Sequence, residues 1–369
     1  MDVVGDILLA LVGVGLVFVV FDSALRTFVL PRGSRSVLTS FVFVTVRHVF
    51  NLFARESHTY QRRDRVMALY APVALLFLTF VWIALVLVGY IFLFRAVSVD
   101  TWRMAFKLSG SSLFTLGFAP PPDNVGSEIL VFTEAAAGLA VLALLISYLP
   151  TIYSAFSRRE VPVARLAVRG GNPPSGAQIL ARAQRMQRFN LLDEVWVEWS
   201  TWFAELEETH TSLAMLTFFR SPRHDRSWVT AAGAVLDAAS LYNSACAVPW
   251  SPNAGACVRG GYLALRSIAD YFGIEYDPDP APTDPISIAR EEFDEACREL
   301  EDAKLPLHDD RDKAWADFNG WRVNYDVVLL ALATITMAPY APWSSDRSLR
   351  YRRPRIVRRR RPAREQEPT

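Results

Sequence analysis

The stretch "SGSSLFTLGFAPPPDN", Ser109 to Asn124, holds the residues of this 369-residue chain whose types and spacing could do chemistry. Hydroxyl residues lead into Thr115, Leu116, Gly117, Phe118 and Ala119, and three prolines follow. No strong acid, base or nucleophile stands in the Thr115–Ala119 run, so the chemistry on offer is that of backbone oxygen. An extended strand whose carbonyls converge on one axis can replace the hydration shell of a cation. Turning successive carbonyls the same way takes unusual dihedrals, which glycine adopts without steric cost, and Gly117 is placed for that. Thr115 adds a hydroxyl oxygen at one end of the run.

Such a strand has to be held by its neighbours. Three apolar runs are each longer than the roughly 20 residues that cross a hydrocarbon core: Ile7 to Val29, Met67 to Phe94 and Ile129 to Tyr153. With 51% hydrophobic residues and mean hydropathy +0.18, the chain reads as half membrane and half soluble. The first run has no Lys or Arg before it, is too long for a signal-peptide core and lacks a small-residue cleavage site, so a spanning anchor is expected. Arg26, Arg32 and Arg35 follow that run, Arg55, Arg62, Arg63 and Arg65 precede the second, and Arg158, Arg159, Arg165 and Arg169 follow the third. By the positive-inside rule this puts the N-terminus outside and the C-terminal half in the cytosol of a multi-pass protein of the inner cell membrane. Arg95, Arg103 and Lys107 fall on the outer side against that rule.

With this orientation the opening stretch lies outside, between the second and third spans. Asp100 is placed to cap a short helix from Thr101 to Leu113, too short to cross. It must dip in and return, and non-helical backbone at that depth is tolerated only when buried in protein or lining water. Residues 37–54 carry a polar edge of Arg47, Asn51 and Arg55 and read as an interfacial helix with arginines near lipid phosphates. A fourth crossing by this segment is the alternative, against the charge bias.

Span, short helix, Thr-Leu-Gly-Phe and span together resemble the pore module of potassium channels, whose filter usually reads Thr-Val-Gly-Tyr-Gly-Asp. The likeness covers Met67 to Phe156, a quarter of the chain, and extends to the bacterial proteins grouped as potassium-channel-like. The second filter glycine of that family is Ala119 here, the following acid is Pro120, and Lys107 and Leu108 stand where aromatic residues often brace the filter. Ala119 would be strained if its position needed positive φ. The resemblance implies a homotetramer conducting a monovalent cation, potassium first, with no resident metal or cofactor, through a filter of Thr115, Leu116, Gly117, Phe118 and Ala119. It also implies a hinge at Gly138 and a gate-forming kink near Pro150. Glu134, an acid within a span, is a functional candidate: it either packs behind the filter against Ser109, Ser111 or Ser112, or faces the central cavity.

The remaining chain reads as helical and soluble. The expected organisation is an N-terminal span (1–36), the interfacial helix and a loop (37–66), the pore module (67–157), a linker (158–176), a helical cytosolic domain (177–342) and a basic disordered tail (343–369). Phe189, Leu192, Trp196, Trp199, Phe203 and Leu206 form one helical stripe, facing either the domain's own core or a neighbouring subunit. Cys246, Cys257 and Cys297 lack metal spacing and are expected as buried free thiols. His308, Asp309, Asp310 and Asp312, and the acids at Glu291–Glu295, read as solvated charge, so no enzyme is expected. A ligand of this domain is expected only in general terms, as a regulatory partner the sequence does not name. Residues 347–369 hold ten arginines and two glutamates, net +8 in a chain of net +1. Arg358, Arg359, Arg360 and Arg361 would meet anionic lipid headgroups, or the tail stays solvated. Without interleaved aromatics, nucleic acid is not an expected partner. The rival to a channel is a membrane-anchored sensor whose pore loop has degenerated, with Ala119 as the symptom.

Overall fold

A computed structural model describes residues 3–28, 36–54, 58–97 and 99–347. Every regular element among them is a helix. The membrane half comprises α1 (Val3–Phe28), α2 (Val37–Phe53), α3 (Tyr60–Ala68), α4 (Tyr70–Ala96), α5 (Trp102–Leu113) and the first part of α6 (Val125–Gly170). The other half comprises α7 (Gly176–Arg185), α8 (Leu192–Ser212), α9 (Trp228–Ser244), α10 (Pro252–Phe272), α11 (Arg290–Asp302), α12 (Arg311–Arg322) and α13 (Asp326–Thr336).

Three helical segments are long and apolar enough to cross a membrane: Val3–Phe28, Tyr60–Ala96 and Val125–Gly170. Helix α2, at 17 residues, is shorter. The second segment is broken at Leu69, because Pro72 has no amide to donate and its ring opposes the carbonyl one turn earlier, so α4 restarts there. Helices α1 and α4 meet through two glycines. A Cβ on Gly13 would sit 2.7 Å from the Gly89 carbonyl oxygen, and one on Gly89 would sit 3.1 Å from that of Gly13. In lipid, where apolar side chains gain nothing by leaving solvent, such close backbone approach is what lets spans adhere. A polar knot holds α1, α2 and α4 together. Ser36 donates to Ser23 Oγ at 2.9 Å, as does Trp82 Nε1 at 3.1 Å, while Thr39 lies within 2.9 Å of the hydroxyls of both Ser23 and Thr27.

The expected linker at 158–176 is mostly absent. Helix α6 runs on without a break through Pro150 and Pro162 to Gly170, because Val163 and Leu166 are buried in the core of the second half and hold those turns in register. The second half packs α8 on α10 and α7 on α9 around Trp196, Trp199, Trp202 and Phe203, all buried. The sequence stripe therefore faces this domain's own core. Its helix starts and stops follow local signals: Ser227 caps α9, Ser251 caps α10 with Pro252 in the first turn, and Gly273 closes α10 in a left-handed conformation. The acidic turn 277–285 is pinned to α12, where Asn319 donates to the carbonyls of Pro282 and Asp284.

One fold feature had no sequence signal. The short turn Ala214–Phe218 leaves the second half and inserts Met215 and Leu216 into the core of the membrane half.

Candidate functional site: the re-entrant segment and its supports

Helix α5 begins one residue later than expected. Thr101, not Asp100, is its cap, and its side chain accepts from the Met104 amide at 3.2 Å. The helix is amphipathic: Ala105, Leu108, Ser109, Ser111 and Ser112 are buried while Trp102, Met104 and Phe106 are exposed in a single chain. Arg95, at the end of α4, folds its guanidinium onto the Val99 carbonyl and the Trp102 ring.

At Phe114 the chain turns back. Thr115 (φ 53°) and Gly117 (φ 70°) are both left-handed, with Leu116 between them in ordinary space. For Thr115 that conformation carries about 1–2 kcal/mol of steric cost. The result is a division of backbone polarity. Amides point back at α5: Thr115 N–H donates to the Ser112 carbonyl at 2.9 Å, Leu116 N–H to that of Ser111 at 2.8 Å, and Ala119 N–H to Ser111 Oγ at 3.1 Å. The carbonyls of Thr115, Leu116, Gly117 and Phe118 accept no hydrogen bond from the described residues. The Thr115 hydroxyl donates to the Phe114 carbonyl at 2.8 Å, which leaves its lone pairs free. Ala119 is not left-handed, so the strain expected of an alanine at this position does not arise.

The remaining predicted residues sort into two places. Glu134 is fully buried in a single chain, with Oε1 2.5 Å from Ser109 Oγ, which lies 3.1 Å from the Leu87 carbonyl oxygen. This joins α4, α5 and α6, with Glu134 packed against α5 within a single chain. Gly138 is also a contact. A Cβ there would fall 2.4 Å from the Leu113 carbonyl oxygen, so the glycine lets α6 pass against the end of α5. Pro150 lies inside α6 on an exposed face, where the Ile146 carbonyl loses its intrahelical donor.

Arg47 does not follow its expected lipid contact. Its guanidinium donates to the Ile335 carbonyl at 2.5 Å and lies over the rings of Tyr70 and Phe218. The physical reason is competition: the last carbonyls of α13 lack intrahelical donors, and α2 brings a cation to them. Arg220 adds to this seam by donating to the Thr336 and Met337 carbonyls at 2.5 and 2.9 Å and pairing with Asp64, while the Tyr60 hydroxyl donates to Met337 at 3.2 Å. Arg358, Arg359, Arg360 and Arg361 lie outside the described residues.

Sequence reasoning missed Arg159 altogether. It is 3% exposed and donates to the carbonyls of Leu216 and Phe219, both at 2.7 Å, and to Glu160 at 2.8 Å. It also donates to His210 Nε2 at 3.2 Å. His210 Nδ1 lies 3.0 Å from the Leu206 carbonyl, which assigns the proton to Nδ1. Burial, then the charge of Arg159, hold the His210 imidazole well below its ordinary value. Arg159 thus locks the inserted turn to the inner helix. An arginine run was visible in the sequence; which of its members turns inward was not.

Among the described residues no group of His, Cys, Asp and Glu could hold a metal. Asp310 caps α12, and Asp312 pairs with Arg290 at 2.8 Å. Two crevices at the junction of the halves have room for about 10 and 20 Å³, the size of a water molecule.

Fold and site define an all-helical membrane protein in which a short helix and a turned-back strand lie between two helices long and apolar enough to cross. Comparison with known proteins adds little beyond that class. No family model matches the chain, and no solved structure matches it. It is similar to the uncharacterized membrane protein YdjJ of Bacillus subtilis (strain 168), at 22% identity over 200 residues, covering 51% of this chain and 58% of that protein. The chain therefore spans a little over half the length of the curated relative it matches.

Proposed function

We propose that four copies of this chain surround a cation pathway of the inner cell membrane and conduct a monovalent cation, potassium first, through Thr115 to Phe118. The carrying observation is the backbone division in that run. Four consecutive carbonyls are without hydrogen-bond donors while the amides of Thr115, Leu116 and Ala119 are tied inward. Unpaired backbone oxygen is expensive unless something replaces water around it, and a desolvated cation does so. One chain supplies one such strand, and a closed ring of oxygens needs several. The exposure of Leu116 (63%) and Phe118 (61%) in a single chain fits side chains that await neighbouring copies. The N-terminus lies outside and the helical half in the cytosol, where it assembles or regulates the pore. Ala119, which motivated the degenerate-loop reading, stands in backbone that suits an alanine.

Cation flux into liposomes holding the purified protein tests the reading. A potassium leak that Gly117→Ala abolishes is expected, together with a tetrameric mass in detergent. A monomeric mass, or a leak indifferent to Gly117, would refute it.

A further inference from the structure

One serine holds the Thr115–Ala119 strand from behind with its side chain as well as its backbone. Ser111 sits in the last turn of α5, is 2% exposed, and meets the re-entrant strand with both backbone and side chain. Its carbonyl accepts the Leu116 amide at 2.8 Å and, more weakly, that of Gly117 at 3.5 Å. Its hydroxyl accepts the Ala119 amide at 3.1 Å. The carbonyl contact is indifferent to side-chain identity. The hydroxyl contact spans eight residues and fixes the outer end of the strand, where Lys107 and Leu108 provide no aromatic brace. An amide freed at Ala119 lets the Phe118–Ala119 peptide rotate, and with it the Phe118 carbonyl.

We infer that Ser111 Oγ is a positioning group for ion discrimination: it holds the Ala119 amide away from the axis and so keeps the Phe118 carbonyl turned towards the ion. The inference rests on the channel reading above and names the residue that sets its selectivity. It also has an internal control. Ser112 is buried one residue away, but its hydroxyl donates to the Leu108 carbonyl at 2.9 Å within its own helix and does not touch the strand.

The experiment measures the potassium-to-sodium permeability ratio from reversal potentials in planar bilayers, for the full-length protein and three variants. Ser111→Ala is expected to conduct with a ratio reduced about fivefold, the scale of one lost hydrogen bond. Ser111→Thr, which keeps the hydroxyl, restores the ratio, and Ser112→Ala leaves it unchanged. A Ser111→Ala ratio equal to that of the parent overturns the role of Ser111 and leaves the channel reading standing. An equal fall in Ser112→Ala overturns it as well, since the effect then belongs to the helix end in general. A parent protein that passes no cation removes the channel reading and this inference with it. Should Ser111→Ala fail to assemble, amide exchange in the unmodified protein decides the matter: protection at Ala119 supports the inference, and free exchange there overturns it.

Discussion

The strand Thr115–Phe118, exposed in a single chain, and the buried core around Arg322 treat polarity in opposite ways. Arg322 is fully buried and wholly satisfied: it meets Asp237 at 2.6 Å, Asp326 at 2.8 Å and the Trp343 carbonyl at 2.6 Å. Tyr325 closes the cluster by donating to Asp237 at 2.9 Å. Burial alone would drive the Arg322 guanidinium down, and the two carboxylates more than reverse this, holding it above its ordinary value. In the strand from Thr115 to Phe118, the carbonyls instead stay unspent. Saturated buried polarity fixes one structure, whereas exposed carbonyls need no partner within the chain.

The contrast is open to attack at four points. The largest effect is expected from Arg322→Met, which leaves Asp237 and Asp326 buried without their cation; the cytosolic half should lose about 3–5 kcal/mol in denaturant unfolding. A loss below 1 kcal/mol would mean that the cluster is not the saturated centre described above. Gly138→Val comes next. Its side chain must displace the Leu113 carbonyl, costing about 1–3 kcal/mol of thermal stability and ending cation flux through the strand that α5 supports. Unaltered flux and melting would show that α6 can stand off from α5 without consequence.

The three apolar helices and the short α5 between two of them were legible because hydropathy and length report them directly. The division of the strand into tied amides and free carbonyls was legible only in outline, through Gly117. The left-handed Thr115 and the serine partners depend on how α5 ends. Arg159 and Arg220 stayed hidden for another reason. Their carbonyl partners lie at Leu216, Phe219, Thr336 and Met337, more than 50 residues away for Arg159 and more than 110 for Arg220. A linker was expected from residue 158, but packing of Val163 and Leu166 carries α6 through Pro162 to Gly170.

A smaller test sharpens the comparison at the seam. His210 is neutral when folded and ionises near 6.5 when unfolded, so the unfolded chain binds the extra proton as pH falls below that value. Stability contributed by neutral His210 is fully present above pH 6.5 and falls with acidification, at up to about 1.4 kcal/mol per pH unit, until the folded group itself titrates. Unfolding followed between pH 7 and 5 should show that slope, and His210→Gln should flatten it. The smallest effect concerns the thiols. Burial pushes Cys246 and Cys257 up to about 12 and Cys297 up to about 11. Maleimide at pH 7.5 should leave all three unmodified in the folded protein and label them after denaturation; rapid native labelling would show that this half breathes far more than its packing implies.

Helix α6 gives these two regions a shared mechanical fate. Its 46 residues make a rod of roughly 70 Å, more than twice the thickness of a hydrocarbon core. Glu134 and Gly138 ride near one end, and Val163 and Leu166 are cemented into the soluble half at the other. A twist applied to the second half must either reach α5 and the strand it supports or be absorbed where Pro150 and Pro162 leave the carbonyls of Ile146 and Arg158 without an intrahelical donor. Those two soft joints set how much torque arrives.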